Sequence, residues 1–314
     1  MIGKKKIKVA ILMGGVSNER EVSLSTGKTV AQYMNLNKFI VSLYDTKKDL
    51  PKLFFDISKN KIDICFIALH GKGGEDGSIQ GMLELLNVPY TGPGIMASAV
   101  SMDKITSKRL FMQEKILTPK FIIVGNQKIN SKEIINKVGL PCVTKPSNSG
   151  SSVGISIIKN KKDIKRGIKK AWKEDNKVII EEYIKGKEIT VGVLGNEDIR
   201  ALPIVEIIPK TKFFDFQAKY DAKFCEEISP ARIPAKITKK AQELALKVYK
   251  LLDCKGFSRI DMILKKDKIY VLENNTIPGL TPNSLLPKAA KADNISFSKL
   301  LEKIINFGLK NEAL

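Results

Sequence analysis

The chain has 314 residues, of which 43% are hydrophobic, enough to build a large core and long enough for two or three compact units. Its formal net charge of +21 invites a nucleic-acid partner, because a basic surface attracts phosphate backbones without base recognition. The lysines, however, are spread over every segment, and no aromatic-rich strand of the kind that stacks bases is present, so nucleic acid is set aside.

In chain order, "MIGKKKIKVAILMGG" imitates a signal peptide, but its apolar run is short and stops at two glycines without a small-residue cleavage site. It reads as a first strand. No other run approaches the roughly twenty apolar residues of a membrane span, which predicts a soluble, cytoplasmic protein. Four separated cysteines, Cys65, Cys142, Cys225 and Cys254, form no zinc or redox motif and read as reduced thiols.

From residue 7 to about 100, strand and helix alternate: "IKVAILM", "EVSLSTGKTVAQYM", "FIVSLYD", "DICFIALH", then a helix carrying Ile79, Met82, Leu83 and Leu86 on one face. That order predicts an open parallel α/β sheet with ligands at the strands' carboxyl ends, where "GGVSNERE" and "HGKGGEDG" are the loaded loops. The string "STGKT" resembles the end of a P-loop, but the required glycine is replaced by Val22, so a P-loop is rejected.

Next come a helix ending before Pro119, a hairpin formed by "GLPCV" and "VGISII", a helix with Ile164, Ile168 and Trp172 at four-residue spacing, and the strand "KVIIEEYI", together a small α+β unit. Strands "EITVGVL" and "RALPIVEI" follow, then a long loop from Phe213 to Ile233, a helix capped by Gly256, a second hairpin and terminal helices.

Two stretches carry chemistry. The Ser/Gly-rich loop "SNSGSSVG" is too long for an ordinary hairpin connection, and such a turn can aim backbone N–H groups at an anion, with Lys145 and Lys104 of "SMDK" adding charge. In "FSRIDMILKKDKIYVLENN", Glu273 and Asn275 lie two apart and share a face. An odd-numbered turn near Lys266 would bring Asp261 to that face, and a two-residue turn would put it on the other. Such oxygen ligands suit a hard cation that bridges phosphates.

Taken together, "SMDK", "VTKPSNSGSSVG", "VIIEEYIKGKEITV", "GFSRIDMIL" and "YVLENNTIPGLTPNSL" resemble the ATP-grasp enzymes in order and distance. With "LMGGVSNEREVSLSTG", "ALHGKGGEDGSIQGMLELLNVPYTGPG" and "AKY", the chain resembles the D-alanine:D-alanine ligase family from about residue 8 to 300.

The resemblance implies three units, an N-terminal α/β substrate domain (1–103), a central ATP-grasp lid (104–186) and a C-terminal ATP-grasp domain (187–314). It implies that ATP phosphorylates one D-alanine and that the amine of a second attacks the acyl phosphate, in a cytoplasmic homodimer that uses two Mg²⁺ or Mn²⁺ ions. By the same resemblance Lys104 and Lys145 contact phosphates, and the loop with Ser151 and Ser152 covers them. Glu182, Tyr183 and Ile184 read adenine, and Glu188 holds the ribose. Asp261, Glu273 and Asn275 hold metal. Glu19 matches the carboxylate that holds the first ammonium, with His70 beside it. Arg259 and Gly279 form the oxyanion hole. Ser284 and Lys219 receive the second carboxylate, with Leu285 adjoining, and Ser151 pairs with Tyr220. Departures are Ile277, Leu280 and Gln217, none of which removes a ligand. The rival readings are another ATP-grasp ligase, including a D-alanine:D-lactate enzyme, against which Tyr220 argues, and a nucleic-acid-binding protein, which leaves Glu19 and Asp261 unexplained.

Overall fold

The computed structural model describes residues 5–125, 130–150, 153–209 and 225–310. Strand β1 (Ile7–Met13) is followed by helix α1 (Arg20–Tyr33), β2 (Phe39–Asp45), α2 (Leu50–Ser58) and β3 (Ile64–Ile67). The strands pair in parallel in the order β2-β1-β3, with α1 and α2 as crossovers. β3 is buried along its whole length, which is why it reads as an unbroken apolar run. The P-loop-like string is helical: Gly27 lies inside α1, and a Cβ there would come 2.6 Å from Met13, so the glycine lets the helix sit close on β1.

Helices α3 (Ser78–Leu85), α4 (Ile95–Met102) and α5 (Lys104–Gln113) lead to a second sheet. It comprises β4 (Phe121–Val124), β5 (Cys142–Pro146), β6 (Ser156–Ile158) and β7 (Val178–Glu182), antiparallel in the order β4-β7-β5-β6. Helix α6 (Ser131–Val138) starts at Asn130, whose side chain accepts from the N–H groups of Lys132 and Glu133 at 3.2 Å each, a standard solution for the unpaired donors of a first turn. Helix α7 (Ile164–Ala171) buries Ile164, Gly167, Ile168 and Ala171, while Trp172 stands just past its end. Together with Cys142, Ile158, Val178 and Ile180 these side chains form a core confined to this unit.

The third sheet contains β8 (Lys187–Leu194), β9 (Arg200–Ala201), β10 (Val205–Pro209), β11 (Cys225–Ile228), β12 (Phe257–Lys265) and β13 (Lys268–Asn275). It is antiparallel in the order β11-β10-β8-β12-β13, with β9 beside β8. The expected strand "RALPIVEI" divides into β9 and β10, because Pro203 between them has no N–H for a ladder. β11 occupies part of the expected long loop, and residues 213–224 of that loop lie outside the described residues.

Helix α8 (Ala235–Leu251) covers one face through Ile237, Ala241, Ala245 and Val248. It ends with Asp253 in the left-handed region at φ 51°, so the expected cap at Gly256 is a misreading: Gly256, φ 73°, turns the chain into β12. Phe111 and Ile116, just before the second sheet, also pack in the core beneath α8. Helices α9 (Leu285–Ala292) and α10 (Phe297–Lys310) share one core with the first sheet, in which Leu286, Ala290, Leu301 and Ile304 meet Val9, Ile11, Val30 and Phe66. The loops after β3 and β5 thus meet the end of β13, and the loop after β1 packs against both loops.

Candidate active site

The loop after β1 turns at Gly14 and Gly15, both with φ above 70°, and is clamped by a paired Arg20 and Asp45. Arg20 donates to both Asp45 oxygens and, at 2.7 Å, to the carbonyl of Gly15. The hydrogen bonds from Arg20 hold the Asp45 carboxyl well below the usual carboxylate range, against the opposing effect of burial. Ser23 Oγ accepts from Gly14 N–H and donates to the carbonyl of Ala68, and Ser17 Oγ donates to the carbonyl of His70, so the loops after β1 and β3 are sewn together.

Glu19 is buried at their junction. A Cβ built on either Gly71 or Gly150 would come 2.6 Å from Glu19 Oε2, so the carboxylate is held between the loop after β3 and the Ser/Gly-rich loop after β5. His70, also buried, contacts Thr26 Oγ1 through Nε2 at 3.0 Å and Glu75 Oε1 through Nδ1 at 3.3 Å.

Lys104 opens α5, which is capped by Asp103 accepting from Thr106 N–H at 2.9 Å. Its ammonium donates to the carbonyl of Ser149 at 2.8 Å and stands 3.3 Å from Glu273 Oε2. One cation therefore joins the Ser/Gly-rich loop to the hairpin of β12 and β13. A cavity here is walled by Glu75, Lys104, Ser149, Gly150, Glu273 and Asn275, among others. Of the expected site residues, Glu19, His70, Lys145, Glu188, Arg259, Asp261, Gly279, Ser284 and Leu285 are not part of that wall.

The β12–β13 hairpin settles the register question in an unexpected way. Its turn has two residues, with Lys265 opposite Lys268, which alone would carry Asp261 to the wrong face. A β-bulge between Asp261 and Met262 restores it: Met262 pairs with Val271 but Asp261 pairs with Glu273, leaving Leu272 as the extra residue. Asp261, Glu273, Asn275 and Arg259 thereby share one face. Arg259 donates to both Asp261 oxygens at 2.9 Å, Asn275 Nδ2 donates to Asp261 Oδ2 at 2.9 Å, and Thr190 Oγ1 donates to Asp261 Oδ1 at 2.6 Å.

Two carboxylates and an amide on one face are a hard-oxygen donor set that fits Mg²⁺ or Mn²⁺. Among the described residues no group of three His, Cys, Asp or Glu has metal-holding geometry, so any ion here needs the Asn275 amide or substrate oxygens as well.

Lys145 lies in β5, buried, 2.9 Å from Glu181 Oε2 on β7. Glu182 follows, its side chain accepting from Lys120 N–H at 3.1 Å, and the N–H of Tyr183 donates to the carbonyl of Pro141. Tyr183 is exposed and Ile184 buried, while Glu188 is half-buried on β8 opposite Ile263. A Cβ on Gly279 would meet Ser284 Oγ at 3.1 Å, and that hydroxyl accepts from Thr281 N–H before helix α9 begins at Leu285. Ser151, Ser152, Lys219, Tyr220 and Gln217 lie outside the described residues.

Sequence reading missed Glu181, Lys108, Thr190 and Glu75. Lys108 stands one helical turn past Lys104, and Glu181 occupies a strand position where an apolar residue would be expected; both signals are faint in a chain this rich in charge.

A parallel three-stranded sheet, two antiparallel sheets and a cavity lined by lysine, carboxylates and amide where they meet define the ATP-grasp class of ligase fold. The family model described as "D-ala D-ala ligase C-terminus" matches residues 110–306, and "D-ala D-ala ligase N-terminus" matches residues 45–93. A D-alanine–D-alanine ligase of Syntrophobacter fumaroxidans is 44% identical over 98% of this chain and 99% of its own. The crystal structure of D-alanine–D-alanine ligase from Bacillus anthracis superposes with a TM-score of 0.86 at 38% identity, covering 97% of this chain and 98% of that one. VanG D-Ala:D-Ser ligase from Enterococcus faecalis gives a TM-score of 0.81 at 33% identity, covering 97% and 100%. The chain belongs to the D-alanine–D-alanine ligase family.

Proposed function

We propose that this enzyme joins two D-alanines to D-alanyl-D-alanine at the expense of ATP, giving ADP and phosphate, for peptidoglycan precursor synthesis. The observation that carries the reading is the convergence of Glu19, Lys104 and the Asp261, Glu273 and Asn275 face at one junction.

In this reading the buried Glu19 carboxylate takes the ammonium of the first D-alanine, with His70 beside it. Lys104 and Lys145 take ATP phosphates, and the segment Glu182, Tyr183 and Ile184 with Glu188 takes the nucleoside. Asp261, Glu273 and Asn275 would hold divalent cations, which supply charge neutralisation during phosphoryl transfer. Asp261 fixes the plane of the Arg259 guanidinium through two hydrogen bonds, and Arg259 with the Gly279 N–H stabilises the oxyanion formed when the second amine attacks the acyl phosphate. Ser284, Leu285 and Lys219 receive the second carboxylate, and Ser151 with Tyr220 completes the link to Glu19.

The same proposal includes the division at residues 1–103, 104–186 and 187–314, a homodimer and a cytoplasmic location. The confined core of the second sheet supports a separate central unit, although Phe111 and Ile116 pack with the third sheet. Among the described residues no helix is long and apolar enough to cross a membrane.

The test is phosphate release with ATP, Mg²⁺ and a panel of D-alanine, L-alanine, D-serine and D-lactate. Release with D-alanine alone and almost none with L-alanine is expected. Comparable release with L-alanine would sink the reading, and release requiring D-serine or D-lactate as acceptor would move it to a sister activity.

A further inference from the structure

The reaction as described leaves one buried cation unused. Lys108 is 0% exposed, and its Nζ donates to Thr118 Oγ1 at 2.7 Å; that hydroxyl donates to the carbonyl of Val271 on β13 at 2.8 Å. The same Nζ stands 3.1 Å from Glu181 Oε1, while Lys145 Nζ stands 2.9 Å from Glu181 Oε2. Two ammonium groups thus share one carboxylate, an oxygen each, and Glu181 is itself only 2% exposed. Lys108 and Lys145 thus each form an ion pair with Glu181 inside the core.

Burying three charges is costly, and a lone Lys145–Glu181 pair would already be balanced. Such a pair is neutral, with little left to attract a phosphate. The additional ammonium leaves a surplus of one positive charge, and β5 presents it through Lys145. We propose that Lys108 is a positioning residue for the nucleotide: by sharing Glu181 it keeps the buried cluster at net +1 and leaves Lys145 able to engage a phosphate. The proposal rests on the reading of Lys145 as a phosphate contact.

The cluster also carries its own pH dependence. Burial pushes the Lys108 ammonium down to about 8, opposed by Glu181 and helped by Lys145. Glu181 stays below its ordinary range, because the two lysines outweigh the upward effect of burial. The charged groups acting on Lys108 from packed elements are Glu181 on β7, Lys145 on β5 and Glu273 on β13. Below pH of about 8 Lys108 carries its proton and the cluster is positive; above it the cluster is neutral and nucleotide affinity falls.

Calorimetric titration with ATP at pH 7 and pH 9 tests this in the wild type, Lys108→Met, Lys108→Arg and Lys145→Met. The wild type should weaken by about fivefold or more across that range. Lys108→Met should bind about tenfold more weakly at pH 7 and show no further fall, whereas Lys108→Arg, whose guanidinium keeps its proton, should bind well at both. Lys145→Met should be weak throughout. Wild-type affinity at pH 7 in Lys108→Met, with Lys145→Met weakened, overturns the role of Lys108. Normal binding by Lys145→Met instead overturns the phosphate reading beneath it. Should Lys108→Met fail to fold, an equal fall with pH in the wild type and Lys108→Arg, or no fall in the wild type, overturns the proposal on its own.

Discussion

Gly150 shows how one missing methyl group holds the site open. Its φ is not in the left-handed region, so alanine is acceptable to the backbone, yet a Cβ would stand 2.6 Å from Glu19 Oε2. Gly150→Ala should therefore lower kcat/KM for D-alanine by about tenfold or more while leaving the thermal midpoint nearly unchanged, since an overpacking cost of roughly 1–3 kcal/mol falls on the Glu19 side chain where two loops meet and not on the apolar core. Steady-state kinetics with a parallel melt checks it, and normal kinetics would show that Glu19 moves aside freely. At Gly71 the same clash coincides with φ 70°, so Gly71→Ala should cost stability as well. Neither glycine's purpose was legible in the sequence. Glu19 stood out there only through the family motif, because a contact between residues 19 and 150 is made by the meeting of two loops.

At the scale of elements, the strands and helices of the first unit were legible because apolar period follows secondary structure, and "IKVAILM" and "FIVSLYD" became β1 and β2 residue for residue. The bulge in β12–β13 was not, since nothing in "KIYVLENN" announces that Leu272 is the extra residue. The turn length was readable in principle, but by itself it would have removed Asp261 from the site. β11 was missed for a different reason: "CEEI" is an edge strand with one buried side chain, and it lacks apolar alternation. The hairpin's proposed role is tested by Glu273→Gln, which keeps shape but removes one negative charge beside Lys104. It should reduce kcat strongly and raise the Mg²⁺ concentration needed for half activity, with the fold intact. An unchanged Mg²⁺ titration at normal turnover would return Glu273 to a solvated strand.

Across the whole molecule, ends distant in sequence are fastened together. Glu302 on α10 accepts from Asn35 Nδ2 at 2.9 Å and from Lys38 Nζ at 3.0 Å in the turn between α1 and β2, and from Lys299 at 3.1 Å. These bonds, Asn35 first, hold its carboxyl down at about 2. Its folded pKa lies below the unfolded one, so its stabilisation is present above the unfolded value of about 4.5 and is lost as pH falls towards 2. Because both lysines are more than half exposed and screened, on the order of 1–2 kcal/mol is expected. Glu302→Gln should lower the thermal midpoint at pH 7 and match the wild type near pH 2; a constant difference across that range would refute the linkage. The shared core of the first sheet with α9 and α10 carries a consequence for biosynthesis. A chain leaving the ribosome has made β1, α1 and β3 long before residues 286–305 exist, so Val9, Ile11 and Phe66 must wait only partly covered while more than two-thirds of the protein is still being added. The first unit is thus dependent on the last to hide its apolar side, and chains stalled before α9 should bind a hydrophobic dye and be retained by holdase chaperones, while full-length chains are released.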